Sequence, residues 1–156
     1  MEKENIWVRH FNKSDVPQLL SLMKNLAKLE NYIDLFCVTE EEIINRGLCE
    51  NPQFYALVAG REGSDLLIGM AVMYIIPYTY TLKPNMILKE LFVSENARGH
   101  GLGSILFESA KEFASLKECV QLMWTIMKGN LEAEFFYSSL DGMPDVKWQN
   151  WVYNIG

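Results

Sequence analysis

Two hydrophobic rhythms divide this chain, a period near 3.6 and alternating or continuous apolar runs. From Asn5 to His10, Ile6 and Val8 alternate with polar neighbours and predict a short strand. Val16, Leu19, Leu20, Met23, Leu26, Ala27 and Leu29 then recur at helical spacing and predict an amphipathic helix over 15–30. Ser14 is placed to cap it, with Pro17 tolerated in the first turn. Thr39-x-x-Glu42 is a capping-box signature opening a second helix that ends near Gly47, and Asn51-Pro52 breaks the chain. Phe54–Gly60 and Leu66–Tyr78 read as strands joined by a hairpin at Arg61-Glu62-Gly63-Ser64-Asp65. After a turn at Lys83-Pro84-Asn85 comes a strand, Ile87–Val93, then a glycine-rich turn and an apolar-faced helix, Ser104–Phe113. Val120–Met127 predicts a strand and Asn130–Leu140 a helix stopped by Asp141-Gly142 and Pro144. Val146–Asn154, carrying Trp148, Trp151 and Tyr153, predicts a closing strand. The order implies an α/β domain over 1–156, one mixed sheet with helices on both faces, and no repeat or linker.

Composition narrows the function classes. With 49% hydrophobic and 22% charged residues, the 156-residue chain is expected to fold around a core of its own. A net charge of −6 argues against a nucleic-acid surface and suits a cationic small substrate, although an acidic solvated face is the commoner cause. Cys37, Cys49 and Cys119 have no metal-ligand spacing and read as free thiols of a reducing cytoplasm; no metal is implied. The polar N-terminus does not read as a signal peptide, and Leu66–Tyr78, the longest apolar run, is too short to span a bilayer.

The turn after the Ile87–Val93 strand carries the chemistry. In Arg98-Gly99-His100-Gly101-Leu102-Gly103 the glycines let backbone N–H groups approach a ligand without an intervening Cβ. The helix behind them adds unpaired N–H groups and the positive end of a dipole, together a cradle for phosphate. A Walker A loop requires a lysine after the last glycine, which is absent, and the dinucleotide fingerprint requires G-x-G-x-x-G. His100 contributes its backbone N–H whatever its side chain does.

Arg98-x-x-Gly101-x-Gly103 resembles the acetyl-CoA pyrophosphate loop of the GNAT N-acetyltransferase superfamily, whose element order also matches. Leu26-Ala27-Lys28-Leu29-Glu30, Thr39-Glu40-Glu41, Asn51-Pro52-Gln53-Phe54-Tyr55, Leu57-Val58-Ala59, Asn130 with Phe136-Tyr137, and Trp151 are similar to the diamine (spermidine/spermine-type) N-acetyltransferases. The resemblance implies a GNAT fold and acetyl transfer from acetyl-CoA to a primary amine of a small molecule, diamine- or lysine-like, directly within a ternary complex. It implies that Leu91, Phe92 and Val93 contact the acetyl-pantetheine arm through their backbone. Arg98, Gly99, His100, Gly101, Leu102, Gly103 and Ser104 would hold the pyrophosphate, and Asn130, Leu131, Glu132 and Ala133 would also contact the cofactor. Glu30, Met123, Trp124 and Thr125 would line the acceptor site, and Tyr137 would be the proton donor. Related enzymes are homodimers, and the apolar C-terminal strand suits that assembly.

Three departures bear on the acceptor. Where the family has two adjacent carboxylates in the central strand, this chain has Lys89 and Glu90; Asp-Pro-Trp becomes Thr79-Tyr80-Thr81, and Glu-Glu-Gly-Trp becomes Trp148-Gln149-Asn150-Trp151. A polyamine's extra cationic centres thereby lose anionic partners, so the resemblance does not identify the amine.

A primary amine with pKa ~10.4 is a free nucleophile in only about one molecule in 2,500 at pH 7, so a base is needed, and Glu90 is the candidate. Tyrosine, pKa ~10, is roughly 2 kcal/mol too weak an acid to protonate a finished thiolate of pKa ~8.5, so Tyr137 would act on charge as it builds on sulfur. Aromatic residues on helices are most often core, which is the expectation for Phe135 and Phe136, and Trp124, Trp148 and Trp151 are expected in core or interface. The same residues leave two other functions open: a peptide or protein N-acetyltransferase, and a non-catalytic acyl-CoA-binding module.

Overall fold

Two strands buried on both faces set the centre of the molecule. β2 (Tyr55–Arg61) and β3 (Leu67–Ile76) are almost continuously apolar because helices cover each side of the sheet. The structure, a computed structural model, describes residues 5–156. β1 (Ile6–His10), β2, β3 and β4 (Asn85–Val93) are antiparallel neighbours, and β5 (Leu122–Met123) lies parallel to β4, giving the order β1-β2-β3-β4-β5. The helices are α1 (Val16–Leu29), α2 (Glu40–Gly47), α3 (Leu102–Leu116) and α4 (Leu131–Ser139).

On one face, Leu19, Leu22, Met23 and Leu26 of α1 and Ile43 of α2 pack with Ala56, Val58, Met70, Val72 and Phe92. The other face belongs to α3. There Leu106 comes so close to Gly69 that a Cβ on that glycine would lie 2.9 Å from Leu106 Cδ1. Leu57, Ala59, Ala71 and Met73 alternate onto this face.

Contacts divide the chain into two compact units, Met1–Trp124 and Thr125–Gly156. The first holds the sheet with α1, α2 and α3; the second holds α4 and the C-terminal segment. Asn130 caps α4 by accepting a 3.0 Å hydrogen bond from the Ala133 N–H.

Several elements depart from their sequence expectations. Asn12, not Ser14, opens the α1 region: its side chain accepts from the Ser14 N–H at 3.0 Å, and Asp15 answers by accepting from the Asn12 N–H at 2.8 Å. Asp15, only 5% exposed, also takes hydrogen bonds of 2.6 and 3.0 Å from Arg9. Thr39 does cap α2, accepting from the Glu42 N–H at 3.2 Å, but the Glu42 carboxylate turns away to pair with Arg46.

The closing strand expected at 146–154 is absent among the described residues. Asp145 Oδ1 accepts the N–H groups of Lys147 and Trp148 at 2.8 and 3.0 Å, a local turn that bends the chain where the strand was to start. Trp148 and Trp151, expected in core or interface, are exposed in the chain. Phe135, expected in the core, is 81% exposed. Phe135, Phe136 and Tyr137 follow one another at about 100° intervals around α4, so no single covering face can bury all three.

Candidate active site

A register slip in the β3–β4 ladder shapes the candidate site. Val72 pairs with Glu90, but the next partners are Met73 and Leu88, so Lys89 is an extra residue on β4. Strict alternation would put Leu88 and Glu90 on one face; the bulge separates them. Leu88 turns to the α3 face with Met73, while Glu90 turns to the α1 face with Val72 and Phe92. A charged side chain thus enters the rim of an apolar core. Its Oε2 is buried without a hydrogen-bond partner. Burial raises the Glu90 pKa above its ordinary value; exposed Lys89 opposes this and Glu30 adds to it.

β5 then leaves β4. The two strands pair only at Met86/Leu122 and Ile87/Met123, so β4 has an open edge from Leu88 onward. Val120–Met127 therefore gives two paired residues where a full strand was expected. The Ser94 N–H bonds the Ile68 carbonyl at 2.9 Å, which assigns the main-chain groups of Glu90 and Phe92 to β3 and those of Leu91 and Val93 to the open edge. Phe92 thus serves the core with its side chain and β3 with its backbone. The Val93 carbonyl is already taken by Arg98 Nε at 2.9 Å, with the guanidinium 5.5 Å from the Phe92 ring centroid. Beyond the bulge, the Leu91 N–H and carbonyl and the Val93 N–H point to this edge.

Arg98 anchors the glycine turn to the end of β4. Gly99 and Gly101 have φ of 82° and 79°, and a Cβ on either would meet no atom within 4 Å. Their lack of side chains serves no packing inside the chain; it keeps the space in front of them clear. Gly101 precedes α3 without a side-chain cap, and the first intrahelical bond runs from the Ile105 N–H to the Gly101 carbonyl at 3.2 Å. The N–H groups of Leu102, Gly103 and Ser104 stand ahead of that bond, at the positive end of a 15-residue helix. This donor set fits a diphosphate. Leu102 contributes through its backbone only, since its side chain is buried; the His100 side chain is exposed.

The remaining expected site residues fall in different places. Glu30, at the C-terminal end of α1, is exposed and acts electrostatically on Glu90. Met123 Sδ receives Asn85 Nδ2 at 3.8 Å. Trp124 packs edge-on against Phe107 of α3, ring centroids 5.2 Å apart, which directs it to the sheet face opposite Glu90. The second unit holds Thr125, Asn130, Leu131, Glu132, Ala133 and Tyr137. There Asn130 Oδ1 is spent on the α4 cap, and half-buried Tyr137 packs edge-on against Phe136, centroids 5.0 Å apart. Among the described residues no group of His, Cys, Asp or Glu could hold a metal ion, and no helix is long and apolar enough to cross a membrane. All three cysteines are unpaired.

An open strand edge, a buried carboxylate and an uncapped glycine turn thus lie in the same unit of the chain. The profile of the acetyltransferase (GNAT) family matches residues 21–142. This chain belongs to the GNAT acetyltransferase family. Its GNAT domain is 27% identical to the thialysine N-epsilon-acetyltransferase of Sus scrofa over 94% of this chain and 89% of that one. It is 26% identical to the spermidine/spermine N(1)-acetyltransferase-like protein 1 of Homo sapiens, over 94% of this chain but only 22% of that longer protein. Among solved structures, a probable acetyltransferase superposes with a TM-score of 0.82 at 18% identity, covering 96% of this chain and 98% of that chain. The aminoglycoside acetyltransferase meta-AAC0020, from an uncultured soil metagenomic sample and in complex with sisomicin, gives 0.80 at 18% identity, covering 97% of each. At those identities the likeness is one of fold. It agrees with the mixed sheet and flanking helices, the GNAT fold.

Proposed function

We propose that this GNAT enzyme transfers an acetyl group from acetyl-CoA to the primary amine of a small molecule, diamine- or lysine-like, by direct attack in a ternary complex. The observation that carries the reading is the partnerless buried Oε2 of Glu90 beside the open edge of β4. When bound, acetyl-CoA supplies the activated acetyl group. Gly99, Gly101 and the first turn of α3 hold its diphosphate, and Leu91 and Val93 offer strand-edge hydrogen bonds to its arm. Glu90 takes a proton from the incoming ammonium, directly or through a water, freeing the nitrogen lone pair. The nitrogen–carbon bond would form and the carbon–sulfur bond break, Tyr137 would give a proton to the sulfur as charge builds there, and the surplus proton on the new amide nitrogen would return, directly or through water, to the Tyr137 phenolate.

Support for an amine acceptor comes from the Sus scrofa relative, named for transfer to an N-epsilon position. Asn130, Leu131, Glu132 and Ala133 add further cofactor contacts in this reading, and Met123 and Thr125 line the acceptor side with Glu30. Residues 1–156 act as one acetyltransferase domain, in the cytoplasm, where free thiols persist. The exposed Trp148, Trp151 and Tyr153 favour a homodimer in which they are covered. Incubating the protein with acetyl-CoA and a panel of primary amines, while titrating released thiol, tests the reading. Amine-dependent release is expected, and no release across a broad panel refutes it.

A further inference from the structure

The two faces of the sheet differ in how far their helices cover them. On the α3 face, Met73 and Met86 are 0% exposed and Leu88 3%, so cover continues past the bulge. On the α1 face, Met70 and Val72 lie in the core, but Tyr74 and Ile76, next along that side of β3, are each 37% exposed. β2 also ends here, with Tyr55 opposite Met73. The cover of this face therefore stops at the row that pairs Val72 with Glu90.

Two further rows follow. Tyr74, Ile87 and Met123 lie side by side across β3, β4 and β5, and Ile76 lies opposite Asn85. Ile87, Met123 and Asn85 are half-buried. The result is a largely apolar ledge that begins at Glu90 and ends at a carboxamide. Its two ends share a property: Asn85 Oδ1, like Glu90 Oε2, is buried without a hydrogen-bond partner, and among the described residues no other side-chain oxygen or nitrogen is so placed. A buried acceptor left unpaired is unfavourable, and a donor brought by a ligand relieves it. Asn85 Nδ2 makes only a 3.8 Å contact with Met123 Sδ, a weak acceptor, so the carboxamide can turn about χ2 and bring its oxygen to the ledge.

The ladder also sets the span. Val72 and Ile76 are four residues apart on β3, which puts the Glu90 and Asn85 rows about 14 Å apart. Two hydrogen bonds of about 2.9 Å leave about 8 Å between the donor nitrogens. At roughly 1.2 Å per bond of extended chain, that is about six or seven bonds. The net charge of −6 favours a cationic second donor over a neutral one.

We propose that this ledge reads the far end of the acceptor. The reacting nitrogen sits at Glu90, the alkyl chain lies over Tyr74 and Ile87, and Asn85 accepts a hydrogen bond from a second ammonium at that spacing. Asn85 is thus a specificity-determining residue. This rests on the acetyltransferase reading above and extends it to a residue that the glycine turn and α4 do not reach.

The test compares kcat/KM for two probes: cadaverine, whose nitrogens are about six bonds apart, and n-pentylamine, the same chain with one nitrogen. Wild type should favour cadaverine at least about tenfold, the effect of one hydrogen bond to a charged group. Asn85→Leu keeps the size and removes the acceptor, so its loss should fall on cadaverine and erase most of that preference. No preference in wild type, a preference that survives in Asn85→Leu, or equal losses for both probes overturns the proposal. Asn85→Asp keeps the shape and adds a charge, and should raise the preference above that of wild type; a preference no greater overturns it. A wild type that acetylates no amine refutes the parent reading and this proposal with it. An active wild type indifferent to the second nitrogen refutes this proposal alone.

Discussion

Glu90 stands directly opposite Val72 in the β3–β4 ladder, one residue before the register slips and Met73 takes Leu88 as its partner. A carboxylate beside a valine on a core-facing surface is an unfavourable pairing that packing alone would not select. Its pKa is raised first by burial, so folding holds its proton more tightly than the unfolded chain does. Between the ordinary carboxylate range and the raised value the native state therefore binds more protons than the unfolded chain, and stability falls as pH rises across that window. Glu90→Gln removes this dependence. At pH 7 the variant should melt at a higher temperature than wild type, with the difference closing as pH falls from the raised value towards 4.5. The same change should lower kcat/KM for the amine about 10²- to 10³-fold while leaving coenzyme A affinity within about twofold. Thermal melts across pH and paired calorimetric titrations check both halves.

Gly101 and Gly63 provide a matched comparison. Their φ values are 79° and 80°, and neither has an atom within 4 Å of an added Cβ. Alanine at either position should destabilise the fold by about 1–2 kcal/mol through left-handed strain. On the proposed reading, only Gly101→Ala places a methyl where the diphosphate would lie. It should weaken coenzyme A binding more than about tenfold, with Gly63→Ala unchanged. Equal affinity in the two variants would remove the glycine turn from the account.

How much of this was legible beforehand differs by element, for physical reasons. The β2–β3 hairpin, α1 and the glycine turn announced themselves because each rests on local rules: apolar periodicity, breaker residues and absent Cβ atoms. The bulge at Lys89 did not. It contains no glycine and arises from pairing with the preceding strand, where Val72 meets Glu90 and Met73 meets Leu88, so nothing local marks it. The Asn12 cap is not marked by sequence alone because its reciprocal partner, Asp15, also answers to Arg9 on another element. Val146–Asn154 shows the reverse failure, an alternating pattern without a ladder, stopped by the Asp145 turn.

Asp15 should prove structural and separable from chemistry. Its pKa is held below 3.8 by the Arg9 hydrogen bonds, with burial opposing and the Asn12 N–H adding to the depression. A depressed carboxylate contributes stability that is present above its unfolded pKa and lost as pH falls through the folded value. Asp15→Ala leaves the Asn12 N–H and the Arg9 guanidinium without their partner and should cost about 2–3 kcal/mol at pH 7. The loss should shrink below about pH 3.8. Urea denaturation measures it, and coenzyme A affinity should not change.

Tyr137→Phe separates an enzyme from a binding module. The account expects kcat to fall about ten- to a hundredfold with coenzyme A affinity preserved. If kcat is unaffected, the proton to sulfur comes from elsewhere.

The most direct measurement is a single turnover of acetyl-CoA bound to excess enzyme, followed with and without a primary amine. Direct transfer predicts no thiol and no acetylated protein in the absence of amine. Adding amine should release thiol together with an equal amount of N-acetylated product. A burst of thiol with acetyl left on the protein before amine is added, or no thiol after it, would contradict the account.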